Sequence, residues 1–221
     1  SCGAANYEPQ EYISTNLNDE RIELREEIFN KLKKEHYLKN FVNEDFNKEY
    51  IEALIKRLDE NKLYFLKPEI KEFYQKANAY DGRSFDIDLS YSIINLYFKR
   101  LILFSEFQIS LIENGSFNLQ LDDYIDIYYE DNEWPQADEN LKKLWRDETK
   151  NDFLVAMMSD TLSEDPKKGL IKRYKNRIRR IQQQNEEDVF SIAVNSLANQ
   201  FDPHSSYLSP RSAEDFDMNM S

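Results

Sequence analysis

The sequence predicts an all-α fold, an irregular multi-helix bundle around a long apolar central helix. Only four Gly and six Pro occur in the 221 residues, too few for an all-β fold with many tight turns. Aromatic residues form 14% of the chain, which is typical of a packed core and not of a disordered polypeptide. Apolar residues also recur at three- and four-residue steps along most of the chain, as on one face of a helix.

The first part of the chain is predicted to contain a lead-in and three amphipathic helices. Residues 1–17 are expected to be a flexible lead-in, and residues 18–201 a helical domain. The first helix is predicted from Asp19 to Tyr37. The second begins after a cap at Asn43, and the third has Pro68 in its first turn, where the missing N–H is tolerated.

The central helix is predicted from Asp86 to Glu113, because this segment is apolar on most faces and Gly115 follows it. A helix that is apolar nearly all round belongs in a core, so the other helices are expected to pack around it. Lys99, Arg100 and Glu106 interrupt the apolar stretch, which falls short of the ~20 residues of a membrane span.

The segment 117–136 is acidic, aromatic and ends in Trp-Pro, so it is predicted to be extended or irregular, with Trp134 as its anchor. A calcium loop needs oxygen ligands at alternating positions around a Gly. This segment has no Gly in that place, and its carboxylates have the wrong spacing: Asp122, Asp123, Asp126, Glu130 and Asp131. No metal site is therefore predicted.

Three helices are predicted in the remainder. One runs from Asp138 to Asp160, with inward positions at Leu141, Leu144, Trp145, Phe153, Leu154 and Met157. The next is amphipathic and carries eight cations on its outer face: Lys167, Lys168, Lys172, Arg173, Lys175, Arg177, Arg179 and Arg180. The last begins at Glu187.

The basic face of residues 167–180 is expected to be solvated or paired with acidic groups of the same chain, and an acidic partner is the alternative. Nucleic acid is disfavoured as a partner, because the chain has a net charge of −13 and would repel phosphate.

No catalytic constellation is visible. The chain has two His and one Cys, so an intrachain disulfide is excluded and a zinc site is disfavoured. His36 lies at a predicted helix end, where a structural role is the ordinary explanation. His204 lies in a short loop beside Asp202 and Ser205, but a Ser-His-Asp triad normally brings its groups together from separated segments. No catalytic residue, cofactor or metal ligand is predicted.

The loop "DPHSSYLSP", which begins at Asp202, resembles the segment before the PDZ domain in carboxy-terminal processing proteases. The resemblance extends upstream. The stretches "RYKNRIRRIQQQNEEDVFSIAVNSLANQF", "HYLKNFVNEDFNKEYIEALIKRLDENKLYFL" and "WPQADENLKKLWR" are similar to the N-terminal domain of the tail-specific proteases in that serine peptidase family.

The resemblance implies a junction at 202–221 that leads to a PDZ domain absent from this chain, its shape set by Asp202, Pro203, His204, Tyr207, Leu208 and Pro210. A protease domain with a Ser nucleophile and a Lys base would follow. This chain would be a noncatalytic scaffold, inactive alone, that shapes substrate access. The implied partners are the PDZ and protease domains of the same polypeptide, substrates with nonpolar C-termini and a helical-repeat lipoprotein adaptor.

The start Ser-Cys-Gly is what remains when a lipoprotein precursor is trimmed to its modified Cys, so Cys2 is a lipidation candidate. The alternatives are an arbitrary boundary or a free surface thiol. A periplasmic location, with tethering through Cys2 in a Gram-negative bacterium, is the expectation. Two other functions stay open: a free-standing helical interaction module, and a self-contained hydrolase that uses His204.

Overall fold

The computed structural model describes residues 46–81, 85–115, 133–159 and 165–201, together with Glu23 and Glu27. These residues contain six complete helices and no strand, so the all-α prediction is confirmed for the described part of the chain. The helices are α1 (Phe46–Leu58), α2 (Lys67–Ala79), α3 (Ile87–Glu113), α4 (Asp138–Met158), α5 (Pro166–Gln182) and α6 (Glu186–Phe201). Glu23 and Glu27 are helical and exposed, while the other residues of the helix predicted from Asp19 to Tyr37 lie outside the described ranges.

The predicted helix boundaries are close to the observed ones because local signals set them. Pro68 lies in the first turn of α2. The Asp86 carboxylate caps α3 by accepting the Leu89 N–H at 3.0 Å. Gly115 follows α3 with φ +62°, the left-handed conformation in which an L side chain is strained. Asn43 lies outside the described residues.

Helix α3 is the longest and contacts the other five described helices. Its buried side chains face the main core, which α1, α2, α6 and the first half of α4 complete. A smaller core closes the far end of the bundle, where Ile112 of α3 meets Phe153 of α4 and Leu170 and Tyr174 of α5. None of the described helices is long and apolar enough to cross a membrane.

One inward assignment was wrong. Met157 was predicted to face the core, yet 58% of its surface is exposed, and the neighbouring Val155 and Met158 are exposed as well. Phe153, one turn earlier, is buried against α5. Within the last turn of α4, Ala156 packs against the small core while Met157 is exposed, so the helical period alone does not place Met157 inside.

Candidate functional site

The residues predicted to form the junction, Asp202, Pro203, His204, Tyr207, Leu208 and Pro210, lie outside the described residues. The lipidation candidate Cys2 and the helix-end His36 lie outside them too. These predictions are therefore untested by the geometry.

The predicted basic helix exists as α5, and its N-terminus is capped by the exposed Asp165 carboxylate, which accepts the Lys167 N–H at 3.1 Å. Leu170, Tyr174 and Ile181 of α5 are buried, so the helix is amphipathic as predicted. The outer face is less uniform than predicted, because three of the eight cations contact side chains of other helices: Lys167 lies over the Phe153 ring, Arg173 pairs with Asp152, and Arg177 hydrogen-bonds Ser105.

Arg177 is the cation that turns inward. Its Nε donates to the Ser105 hydroxyl at 2.7 Å, and its guanidinium also donates to the Gln108 side-chain oxygen. The guanidinium carbon lies 5.1 Å from the ring centroids of both Phe104 and Tyr174. Burial lowers the pKa of Arg177, but its ordinary pKa is so high that the group stays charged. Arg177 therefore joins α5 to α3 through cation–π contacts and hydrogen bonds.

The Asp152 carboxylate of α4 is the second partner. It accepts the Tyr174 hydroxyl at 2.7 Å and pairs with the Arg173 guanidinium at 2.5 Å. The Gln108 amide reaches the same carboxylate oxygen at 3.4 Å. Burial and this carboxylate together raise the pKa of Tyr174, so the hydroxyl remains a donor. A polar network thus connects α3, α4 and α5.

A more deeply buried carboxylate, that of Asp59, organises the loop after α1. Its oxygens accept the backbone N–H groups of Leu63 at 2.6 Å and Phe65 at 3.0 Å, with longer contacts from the N–H of Tyr64. The indole N–H of Trp134 donates to it at 3.1 Å, as expected of an anchor, whereas residues 117–132 of the segment predicted to be extended lie outside the described residues. Burial raises the pKa of Asp59 to about 6, and the four N–H donors oppose that shift.

The loop is joined to its surroundings by other contacts. The Lys67 N–H donates to the Pro135 carbonyl at 2.9 Å, and the Trp145 indole donates to the Leu63 carbonyl at 2.7 Å. Glu69 accepts the Leu66 N–H at 2.8 Å, which caps α2, and pairs with Arg100 of α3 at 2.6 Å. These residues hold the segment before α4 against α1 and α2.

The described residues offer little for catalysis. They include no His and no Cys, and no group of three or more metal-ligating side chains among them could hold a metal ion. Every Lys in the described ranges is exposed or half-buried. A Lys general base needs burial or a neighbouring cation to lower its pKa, so the described lysines lack the burial of such a base.

No sequence signal separated Asp59 and Asp152 from the many other charged residues. Asp59 directly follows the end of a helix, but so do other polar residues. Arg177 was counted with the outer cations, although its position between Tyr174 and Ile181 on the inward side could have marked it.

A family model described as the Tail specific protease N-terminal domain matches residues 28–211. The chain belongs to this family. The resemblance in the loop after Asp202 and in the helices upstream is therefore confirmed at the level of the family.

A curated relative supports the same conclusion. The chain is 32% identical over 189 residues to a protein named Tail-specific protease from Haemophilus influenzae. The alignment covers 84% of this chain but only 27% of that relative. The chain therefore spans about a quarter of the relative's length.

Proposed function

We propose that this chain is the noncatalytic N-terminal scaffold of a periplasmic, serine-type tail-specific protease. The match of residues 28–211 to the N-terminal domain family carries the proposal, and the name of the relative supports a protease as the whole protein. A PDZ domain and a protease domain with a Ser/Lys dyad would belong to other parts of the same polypeptide.

The chemistry of the described residues is consistent with a scaffold. The buried Asp59 and the half-buried Asp152 and Arg177 are all engaged in holding helices or loops together. A general base must instead be within reach of a substrate proton. We therefore expect the chain alone to be inactive, and to need no cofactor.

The proposed role of the helices is to limit which substrates reach the protease domain and to dock a helical-repeat lipoprotein adaptor. The substrates would be proteins with nonpolar C-termini. The residues from Asp202 to Pro210 would fix the orientation of the PDZ domain, since the two Pro residues restrict the backbone between the two domains.

Cleavage assays with the whole protein would test this proposal. The substrates are a folded reporter with a nonpolar tail, the same reporter with a tail of Asp residues, and a short peptide. We expect the whole protein to cleave the nonpolar-tailed reporter and the chain alone to cleave nothing. Removing residues 18–201 should change the rate on the reporter, while the rate on the short peptide, which needs no access control, should stay the same.

Two results would contradict the proposal. Cleavage by the chain alone, lost in His204→Ala, would instead establish a self-contained hydrolase. Equal reporter rates with and without residues 18–201 would remove the scaffold role. The proposed tether has its own test: an alkyne-labelled fatty acid should be incorporated into the whole protein and lost in Cys2→Ser.

A second candidate function is a free-standing helical interaction module. The exposed cations of α5 favour it, because most of them have no carboxylate partner among the described residues. Sequencing the native gene would distinguish the two candidate functions. A stop codon close to residue 221 would leave the interaction module, whereas PDZ and protease domains in the same reading frame would support the scaffold.

A further inference from the structure

The outward face of α5 concentrates positive charge on an acidic chain. Residues 167–180 hold eight of the chain's 29 Lys and Arg residues and no Asp or Glu, although the net charge of the chain is −13. The part of this face that we call the basic stripe consists of Lys172, Arg173, Asn176, Arg179, Arg180 and Gln183. These positions follow three- and four-residue steps, so they lie along one side of the helix.

The basic stripe is largely unpaired. Asp152 is the only carboxylate in the described ranges that forms an ion pair with it, through Arg173. Lys172, Arg179 and Arg180 are exposed, and Arg179 donates to the neighbouring Asn176 at 2.6 Å. Cations this close together repel one another, so an anionic group bound along the stripe would relieve that repulsion.

The basic stripe also lines a groove in the surface. Its six residues line an open groove of about 530 Å³, within the usual range of ligand sites. A smaller cavity of about 180 Å³ adjoins it at Gly169 and Arg173, which line both. The smaller cavity, which we call the recess, is lined by Ala156, Pro166 and Leu170 and also by the polar Ser159 and Asp165. One surface thus offers a cationic groove beside a partly apolar recess.

Exposed apolar side chains extend this surface. Val155, Met157 and Met158, in the last turn of α4, are 53%, 58% and 76% exposed, and they neighbour Ala156 of the recess. Methionine is flexible and polarisable, so it adapts to different apolar partners. A ligand that used the recess could therefore also bury part of this apolar turn.

We propose that this surface binds an acidic peptide segment of another protein, with an apolar side chain in the recess and carboxylates along the basic stripe. The amide groups of Asn176 and Gln183 lie between the cations and could bond the peptide backbone. The inference stands on the described surface alone, so it does not depend on proteolytic activity of the whole protein.

A nucleic acid fits this surface less well. The groove has no aromatic side chain among its described lining residues, whereas single strands stack their bases on such rings. The net charge of −13 would also repel a long polyanion. Salt screens charges that lie farther than a Debye length, about 8 Å at physiological salt. A short acidic segment bound in the groove therefore interacts mainly with the nearby cations of the basic stripe.

Fluorescence anisotropy with the full 221-residue chain tests the proposal. The probe is the fluorescein-labelled peptide GSLLADEEDESG, compared with GSLLANQQNQSG, which lacks carboxylates, and GSSSADEEDESG, which lacks the apolar pair. We expect binding of the first peptide, no measurable binding of the second, and at least about tenfold weaker binding of the third, because a buried Leu contributes at least that factor.

Charge reversal locates the site. Lys172→Glu with Arg179→Glu and Arg180→Glu should weaken binding of the first peptide by about tenfold or more. The matched control reverses three exposed lysines elsewhere, Lys71, Lys142 and Lys143, and therefore changes the net charge equally. The control should bind within about twofold of the unmodified chain, because its substitutions lie outside the groove.

The proposal is overturned if the stripe and control variants lose binding equally, since net charge would then be the cause. It is also overturned if the Ser-containing peptide binds as well as the Leu-containing one and inorganic polyphosphate displaces both, which would indicate a general anion surface. Circular dichroism checks folding. If the triple variant loses helix, the double variant Arg179→Gln with Arg180→Gln replaces it. This variant should bind the first peptide about threefold more weakly. Its control, Lys142→Gln with Lys143→Gln, should bind the peptide as the unmodified chain does.

Discussion

Asp59→Asn tests whether burial or hydrogen bonding has the larger effect on the pKa of Asp59, and therefore on the free energy of unfolding. The group is 1% exposed and accepts N–H donors from the loop backbone and from Trp134. No Lys or Arg within the described ranges forms an ion pair with it. Its charge is therefore compensated by N–H groups alone. Asn has nearly the same shape and carries no charge.

The pKa determines the expected sign. Burial raises the pKa of Asp59 from 3.8 to about 6 in the folded chain, so the folded state binds the proton more tightly than the unfolded state does. The stability that this carboxyl contributes is therefore greatest at low pH and declines as the pH rises from about 4 to 6. The shift corresponds to about 3 kcal/mol of the free energy of unfolding, at about 1.4 kcal/mol per pH unit.

An Asn keeps one carbonyl acceptor, but its NH2 group has two donors and no acceptor, whereas both Asp59 oxygens accept N–H groups. Near pH 4 we therefore expect Asp59→Asn to be less stable than the unmodified chain by about 1–2 kcal/mol, because the N–H groups at one oxygen lose their acceptor. At pH 7.5 the difference should shift by about 3 kcal/mol and make the variant more stable by about 1–2 kcal/mol, because it avoids burying a charge.

Urea unfolding at both pH values, followed by circular dichroism and Trp fluorescence, measures the two differences. Other titrating groups cancel, because they are the same in both proteins. Asp165→Asn is the control, since this exposed helix cap works equally well as Asn. Asp59→Ala, which removes every acceptor, should lower stability by about 3 kcal/mol near pH 4 and by much less at pH 7.5, where the unmodified chain itself buries a charge. The reasoning fails if Asp59→Asn is less stable than the unmodified chain at pH 7.5.

Three further predictions concern buried polar contacts, each measured as the change in free energy of unfolding. Tyr50→Phe removes a hydroxyl that joins α1 to α3 and α6, and should cost about 1–2 kcal/mol; no change would mean that these hydrogen bonds add nothing net. Trp145→Phe leaves the Leu63 carbonyl unpaired and should cost about 2–3 kcal/mol, unlike Trp134→Phe, which keeps that bond. Arg177→Lys should cost about 1–2 kcal/mol, because an ammonium cannot stack on two rings; a variant as stable as the unmodified chain would refute that role.

Local chemistry explains why the helices could be predicted. Pro68, Asp86 and Gly115 act on the backbone within one turn, so their effect does not depend on the remainder of the fold. The family could be recognised for a related reason, since the loop after Asp202 and the helices before it retain short residue patterns. Such patterns can be read along the chain without knowledge of any tertiary contact.

Local sequence signals do not predict which side chains of a helix are buried. Arg177 and Arg179 are two positions apart in the same cationic run, yet one is held between Phe104 and Tyr174 and the other is exposed. Met157 continues the period of Phe153, yet Phe153 is buried in the small core and Met157 is exposed. Side-chain periodicity predicts the side of the helix on which a residue lies, but not whether another element packs against that side.

The sequence by itself determined the all-α class, the helix boundaries and the family, because each depends on signals read along the chain. Only the tertiary structure decided which charges are buried. Asp59 meets the indole of Trp134 across 75 positions, and Arg177 meets Gln108 across 69. Such pairs form when helices pack, and the free energy that selects them comes from desolvation and contact geometry. The recess beside the groove has the same origin, because its lining comes from α4, represented by Ala156, and from α5 together.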